Sequence, residues 1–405
     1  MSLYQFKLPK FTELSDDQKI ALGGDFEGIA LFGGPGTGKS VVSVWRHIYN
    51  LTERKINSLL LTYSKSLEEC LRLITKSEIL GQKLNINENV GRSQKFEFTI
   101  DRQPNYDEII VDEAQDNPCS FYEKLKEKSK NITYGADGTQ VLYPERACNE
   151  MCFNKKYATK EFNKRNIEEA KIECLKTIFR NNEIIELSRN YRNTFEIMCF
   201  VKSLFPKRNI ISFAALQELK VPGIFARRGP KPVYYLTGRN KFNEETRRFE
   251  FSNIKQDAYI KEIIEEYHSD GHNIVILVPF QDEVDFFYQL LTGMGFDCSK
   301  FNANLVVLDN IKNIHVTTFK SAKGLEFDTV IIPNFQTILR IDNLKNVEEN
   351  DYYVAITRAR RNLFVIACSN MPHIDEITYN KEEIKNIPTS NSNIRFERHD
   401  DDLPF

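Results

Sequence analysis

The residues GGPGTGKS at positions 33–40 have the spacing of a loop that holds phosphate. Glycines let backbone N–H groups close around phosphate oxygens, and a following helix presents its positive end to the same charge. In such a loop Gly34, Pro35, Gly36, Thr37 and Gly38 form the cradle and Lys39 reaches the β and γ phosphates of a nucleotide. Ser40 offers its hydroxyl to Mg²⁺, an ion that keeps most of its waters and takes few protein ligands. By average composition the bare GxxxxGK[ST] string arises by accident in roughly one chain in a hundred of this length. The apolar run IALF before it and the run VVSVWRHIYNL after it supply the strand and the helix that the loop needs.

A second constellation stands at 109–116, where IIVDEAQD reads as an apolar strand ending in adjacent carboxylates. Asp112 is placed to hold Mg²⁺ through water, and Glu113 to orient or deprotonate an attacking water. An acidic pair at a strand end is more often a solvated loop, but this one follows a phosphate loop and an apolar run. Together the two segments point to hydrolysis of a nucleotide.

Further segments occur in an order that resembles superfamily 1 helicases of the UvrD, Rep and PcrA type. LSDDQ at 14–18 is similar to that family's adenine-reading segment, and LLLTYSKSL at 59–67 to its first strand-contacting motif. GADGTQVLY at 135–143 resembles the motif that couples the two sites, and LSRNYRNT at 187–194 the NYR motif. VTTFKSAKGLEFDTVIIP at 316–333 and YVAITRARRNLFV at 353–365 are similar to the fifth and sixth motifs. The resemblance spans Leu14 to Ala367, and SAKGLEF with TRAR is its most specific part.

Carried over residue by residue, the resemblance implies that Gln18 hydrogen-bonds adenine and that Tyr191 stacks on it, which a planar aromatic does at little conformational cost. It implies arginine fingers at Arg192 and Arg358, since a guanidinium fork matches the charge that spreads over γ-phosphate oxygens in the transition state. It assigns γ-phosphate sensing to Gln140 and a ribose contact to Glu326. The implied cofactors are ATP and Mg²⁺, with Ser40 and Asp112 at the metal. The bland readings are a solvated helix face for Arg358 and Arg360 and a core aromatic for Tyr191.

These residues need elements to hold them. Apolar runs predict strands near 28–33, 58–62, 108–112, 131–135, 232–236, 273–278, 314–318, 328–332 and 363–367, with helical stretches between most of them. Such alternation argues for parallel sheets in an α/β fold, and 405 residues allow two or three domains. With the resemblance, the expectation is two RecA-like domains, each a mostly parallel sheet flanked by helices, with ATP in the cleft between them. Their expected bounds are 1–186 and 187–375, followed by a polar tail at 376–405. Residues 144–186 read as a basic helical connection, either a solvated cap or a nucleic-acid contact. UvrD-type enzymes carry two large insertions, for which the stretches before VDEAQD and VTTFKSAKG leave little room.

Nucleic-acid contact rests on fewer residues. The resemblance places a base-stacking tryptophan after the coupling motif, where this chain has Glu145, and the single Trp45 belongs to the helix after the phosphate loop. Tyr63, Phe319 and Lys320 are the remaining candidates, since stacking on a base is sequence-tolerant. A formal charge of −2 excludes a global basic field, so binding must use a local groove.

Eight cysteines are scattered at 70, 119, 148, 152, 174, 199, 298 and 368, and those at 148, 152 and 174 match no common metal spacing. They read as buried small apolar residues in a reducing, cytoplasmic protein without a secretion signal or spanning helix. His47, His268, His272 and His315 read as structural. The sequence finishes DDDLPF at 400–405, similar to the acidic tip by which bacterial single-stranded DNA-binding proteins engage partners; a merely solubilising tail is the alternative.

The expected function is an ATP-dependent translocase or helicase on single-stranded nucleic acid, DNA favoured and moving 3′ to 5′, with no membrane partner. A nucleotide-gated switch that recruits or licenses a partner enzyme is the alternative.

Overall fold

The computed structural model describes residues 8–23, 28–63, 68, 89–137, 164–205, 228–243, 248–301, 311–343 and 347–369. They divide into two units, one with the described residues up to Tyr191 and the other with those from Arg192 onward. The sequence reading put that break at Glu186, which lies inside a strand.

The first unit is a six-stranded sheet in the order β3-β2-β4-β5-β1-β6. Its strands are β1 (Ile29–Gly33), β2 (Ser58–Thr62), β3 (Val90–Arg92), β4 (Glu108–Val111), β5 (Asn131–Ala136) and β6 (Glu183–Leu187). All neighbours are parallel. Because side chains alternate along a strand, Ile29, Leu31, Leu60 and Ile110 pack to one face with the helices Asp16–Gly23 and Lys39–Tyr49. Ala30, Phe32, Leu59, Leu61, Ile109 and Val111 pack to the other with the helix Cys119–Leu125. A sheet covered on both faces explains why its strands read as continuous apolar runs.

The second unit is a six-stranded parallel sheet in the order β11-β12-β10-β13-β14-β7. Its strands are β7 (Val233–Leu236), β10 (Ile274–Val278), β11 (Cys298–Lys300), β12 (Ile314–Thr318), β13 (Phe327–Ile332) and β14 (Ala359–Ala367), with β8 (Phe242–Asn243) and β9 (Arg248–Phe249) as a separate antiparallel pair. The run IVILV of β10 is wholly buried, with the helices Ile254–Ser269 and Gln281–Gly293 over one face.

Every strand expected from the sequence is present. β3, β11, β8 and β9 were not expected, because two or three residues are too few to show a period. Of the basic helical connection at 144–186, residues 144–163 lie outside the described ones, Lys164–Ile178 is a helix as expected, and Glu183–Leu187 is instead a strand pairing with β1. That helix is no solvated cap. Leu175 and, just beyond it, Phe179 enter the core, and the buried Lys171 ammonium meets Asn117 O and the Tyr122 ring. One cysteine pairing was not foreseen, since the sulfurs of Cys119 and Cys174 lie against each other where that helix packs on Cys119–Leu125. Spacing alone does not report such pairs, because 55 residues separate them. Among the described residues no helix is long and apolar enough to cross a membrane.

Candidate nucleotide site

Four neighbouring strands of the first unit bring the chemistry to one edge. In the sheet order β4-β5-β1-β6, the carboxyl ends lead to Asp112 and Glu113, to Asp137, to the 33–40 loop and to Tyr191. Open parallel α/β sheets bind ligands outside that edge.

The loop needs its glycines for definite reasons. A Cβ on Gly33 would stand 2.5 Å from Thr37 Oγ1 and 2.6 Å from Leu187 O. Gly38 has φ of 90° and precedes the helix Lys39–Tyr49, so the turn into the helix passes through the left-handed region. Thr37 Oγ1 donates to Gly34 O at 2.9 Å, which closes the loop on itself. Lys39 Nζ donates to Gly33 O and Gly34 O at 2.8 and 2.9 Å and lies 3.8 Å from Asp137 Oδ2.

Both residues assigned to the base touch this loop. Gln18 Nε2 donates to Thr37 O at 3.2 Å, and Tyr191 N donates to Gly36 O at 2.7 Å. The Arg189 guanidinium lies 5.3 Å over the Tyr191 ring.

Asp112 is buried, and neither carboxylate oxygen has a hydrogen bond of good geometry among the described residues. Burial pushes its carboxyl up to about 7, the charge of Glu113 acts in the same direction, and the nearby Ser40 hydroxyl and Lys39 ammonium oppose. A buried, unpartnered carboxylate beside a hydroxyl suits a small divalent cation that brings its own water. Glu113 adopts φ of 54°, a left-handed conformation that costs a non-glycine residue about 1 kcal/mol or more and tends to persist at functional sites. Gln115 Nε2 donates to Glu113 Oε2 at 2.6 Å, while Asp137 N donates to Gln115 Oε1 at 3.1 Å.

The remaining candidates belong to the second unit. Arg192 Nε donates to Glu326 Oε2 at 2.9 Å. Arg358 is 1 % exposed, and its Nε, Nη1 and Nη2 donate to Val354 O, Leu325 O and Thr357 Oγ1 at 3.0, 3.3 and 3.4 Å. It is therefore neither solvated nor on a helix face.

For strand contact the structure departs from the sequence reading. Phe319 is 1 % exposed and packs edge-on to Tyr352 with centroids 4.9 Å apart, so it serves the core rather than offering a face to a base. Tyr63 is also buried, directly after β2, and Lys320 Nζ lies 3.8 Å from Asp351 Oδ2. Gln140 and the DDDLPF segment lie outside the described residues.

Sequence reasoning missed Gln115, Asp137 and Asn193. Gln115 sits inside the DEAQD run it examined, Asp137 follows β5 at the same edge, and Asn193 follows the NYR segment. Asn193 Nδ2 donates to Thr357 O and Ala359 O, the carbonyls flanking Arg358, at 3.1 and 2.6 Å. No group of three or more His, Cys, Asp or Glu able to hold a metal occurs among the described residues.

Two parallel α/β units with these edges define the architecture of RecA-like helicases. The chain belongs to the UvrD-like helicase C-terminal domain family, which matches residues 97–370. Solved structures similar to it include Dbp5 of S. cerevisiae bound to RNA and ADP-BeF3, with 14 % identity over 93 % of this chain and 88 % of that one and a TM-score of 0.52. The C-terminal domain of a possible DNA helicase from Lactobacillus plantarum WCFS1 is 19 % identical over 47 % of this chain and 94 % of that one, with a TM-score of 0.33. The PRRSV helicase is 11 % identical over 91 % of this chain and 57 % of that one, with a TM-score of 0.40. At 14 % identity the likeness to Dbp5 is one of fold. No curated protein matches the chain.

Proposed function

We propose that this protein hydrolyses ATP under the control of single-stranded nucleic acid and uses the cycle to move along the strand, DNA favoured and 3′ to 5′. The observation that carries the reading is the meeting at one sheet edge of the Gly33–Ser40 loop, the unpartnered Asp112 carboxylate and Glu113 held by Gln115. Lys39 exchanges its loop carbonyls for phosphate oxygens. Gln18 and Tyr191 receive the adenine, and Gln140 senses the γ-phosphate. Ser40 and Asp112 hold Mg²⁺, which neutralises charge on the β and γ phosphates when bound. Glu113 orients the attacking water, and Arg192 and Arg358 stabilise charge on the γ-phosphate oxygens.

One observation favours a second reading, a nucleotide-gated switch that licenses a partner protein. Phe319 and Tyr63, two of the three candidates for strand contact, are buried. The segment Asp400–Phe405 is the proposed partner contact, and its removal is expected to leave ATPase unchanged; a lost activity would make it part of the folded core.

Steady-state ATPase with no nucleic acid, single-stranded DNA, single-stranded RNA and duplex separates the two. Stimulation by one single strand supports the motor and names its track. A rate indifferent to all four conditions overturns it in favour of the switch.

A further inference from the structure

Arg360 is the part of the TRAR run to which the proposed function gives no task. The register that pairs Phe327 with Ala359 sets Glu326 and Arg358 at the start of the neighbouring strands β13 and β14. Within this corner the Glu326 carboxylate accepts a hydrogen bond from Arg192 and lies within ion-pair range of Arg360. Arg192 Nε donates to Oε2 at 2.9 Å, and Arg360 Nε lies 3.8 Å from Oε1, while Arg360 Nη1 lies 3.9 Å from Asp328 Oδ1. The three side chains of this chain of contacts are 16, 21 and 11 % exposed, in the order Arg192, Glu326, Arg360, so solvent screens them only in part. Asn193, by gripping the carbonyls on both sides of Arg358, fastens the backbone next to Arg192 to the same corner.

This geometry is at odds with a simple ribose contact for Glu326. A guanidinium held through Nε is fixed in rotation, and that bond does not use the two-nitrogen end that forks onto phosphate oxygens. We infer that Glu326 is a positioning residue for Arg192, and that Arg360 holds Glu326 in turn, so that the TRAR run serves the NYR arginine as well as supplying Arg358. The inference rests on the reading of Arg192 as the group that stabilises the γ-phosphate. It assigns Glu326 an effect on turnover rather than on nucleotide affinity.

The test is steady-state ATPase of the full chain at saturating single strand, for Glu326→Gln, Arg192→Ala, the double variant and Arg360→Gln, with ATP, 2′-deoxy-ATP and 3′-deoxy-ATP. Glu326→Gln is expected to lower kcat roughly tenfold or more, the scale of a lost transition-state donor. KM for ATP should stay within about twofold, and both deoxynucleotides should be affected as ATP is. In the Arg192→Ala background the same change should add nothing, since the two act as a unit. A raised KM that disappears with either deoxynucleotide would restore the ribose contact and overturn the inference, as would an unchanged kcat. Arg192→Ala turning over at the normal rate would instead sink the underlying reading of Arg192. Should Glu326→Gln not fold, Arg360→Gln decides the matter: a lowered kcat at constant KM supports the relay, and a normal kcat overturns it.

Discussion

Arg46 and Glu108 form a buried ion pair, with Arg46 Nε donating to Glu108 Oε1 at 2.6 Å. The pair joins the helix that follows the glycine-rich loop to the strand that leads to Asp112. Arg46 Nη1 also donates to Ala21 O in the helix that carries Gln18, and Asn50 Nδ2 and the Thr133 hydroxyl donate to the same carboxylate. Three elements of the candidate site are thereby tied at one point beneath it. Arg46→Met strands a buried carboxylate, and the expected loss is about 3 to 5 kcal/mol of unfolding free energy, measured by denaturant titration. Adding Glu108→Gln should recover part of that loss, because the stranded charge is gone.

Gln115→Ala removes the side chain that holds Glu113 and receives the Asp137 amide. The expected result is a roughly tenfold lower kcat with nucleotide affinity retained, read from ATPase together with binding of a fluorescent nucleotide. Lys39→Ala in the same assays should abolish turnover. A Gln115→Ala enzyme with normal kcat would show that Glu113 is oriented without it.

Arg358 has buried packing contacts and a proposed role at the γ-phosphate, and the two should separate in measurement. Its guanidinium is buried on the partners Val354 O, Leu325 O and Thr357 Oγ1, so Arg358→Ala leaves buried acceptors unmet at about 1 to 3 kcal/mol. Arg358→Ala is expected to abolish ATPase, to keep nucleotide binding and also to lower Tm by several degrees. An unchanged Tm would mean that its contacts to the second unit are exchangeable with water.

Two buried groups give the stability of the second unit opposite pH dependences. Burial pushes Glu283 from 4.5 up to about 8, with the Asn334 amide opposing. It binds more protons folded than unfolded, so its contribution is complete below about pH 4.5 and is lost as the pH rises through about 8. Burial lowers His315 from 6.5 to about 4, so its contribution is complete above about pH 6.5 and is lost as the pH falls through about 4. Denaturant midpoints are expected to be highest between about pH 4.5 and 6.5, where the two slopes oppose, and to fall on either side. Glu283→Gln should flatten the alkaline fall.

Much of the fold was legible in the sequence because both sheets are buried on two faces. Their strands are continuous apolar runs such as SLLLT and IVILV, which announce themselves without neighbours. β6 was hidden, since Glu183, Ile184 and Glu186 are exposed and only Ile185 and Leu187 are buried. An edge strand of that kind reads as polar, and its pairing with β1 appears only when the sheet is assembled.

The glycine-rich loop, the adjacent carboxylates and the NYR, SAKGLEF and TRAR runs were determined by the sequence itself. Their chemistry depends on residues close together along the chain, where glycine freedom and strand ends are local properties. Tertiary structure alone decided which groups share an edge and which are spent on the core. It set Gln115 between Asp137 and Glu113, withdrew Phe319 against Tyr352, and placed Glu326 within reach of both Arg192 and Arg360. Those outcomes follow from strand order and burial. Both depend on how distant segments are brought together, as with the 134 residues between Arg192 and Glu326, which no local spacing records.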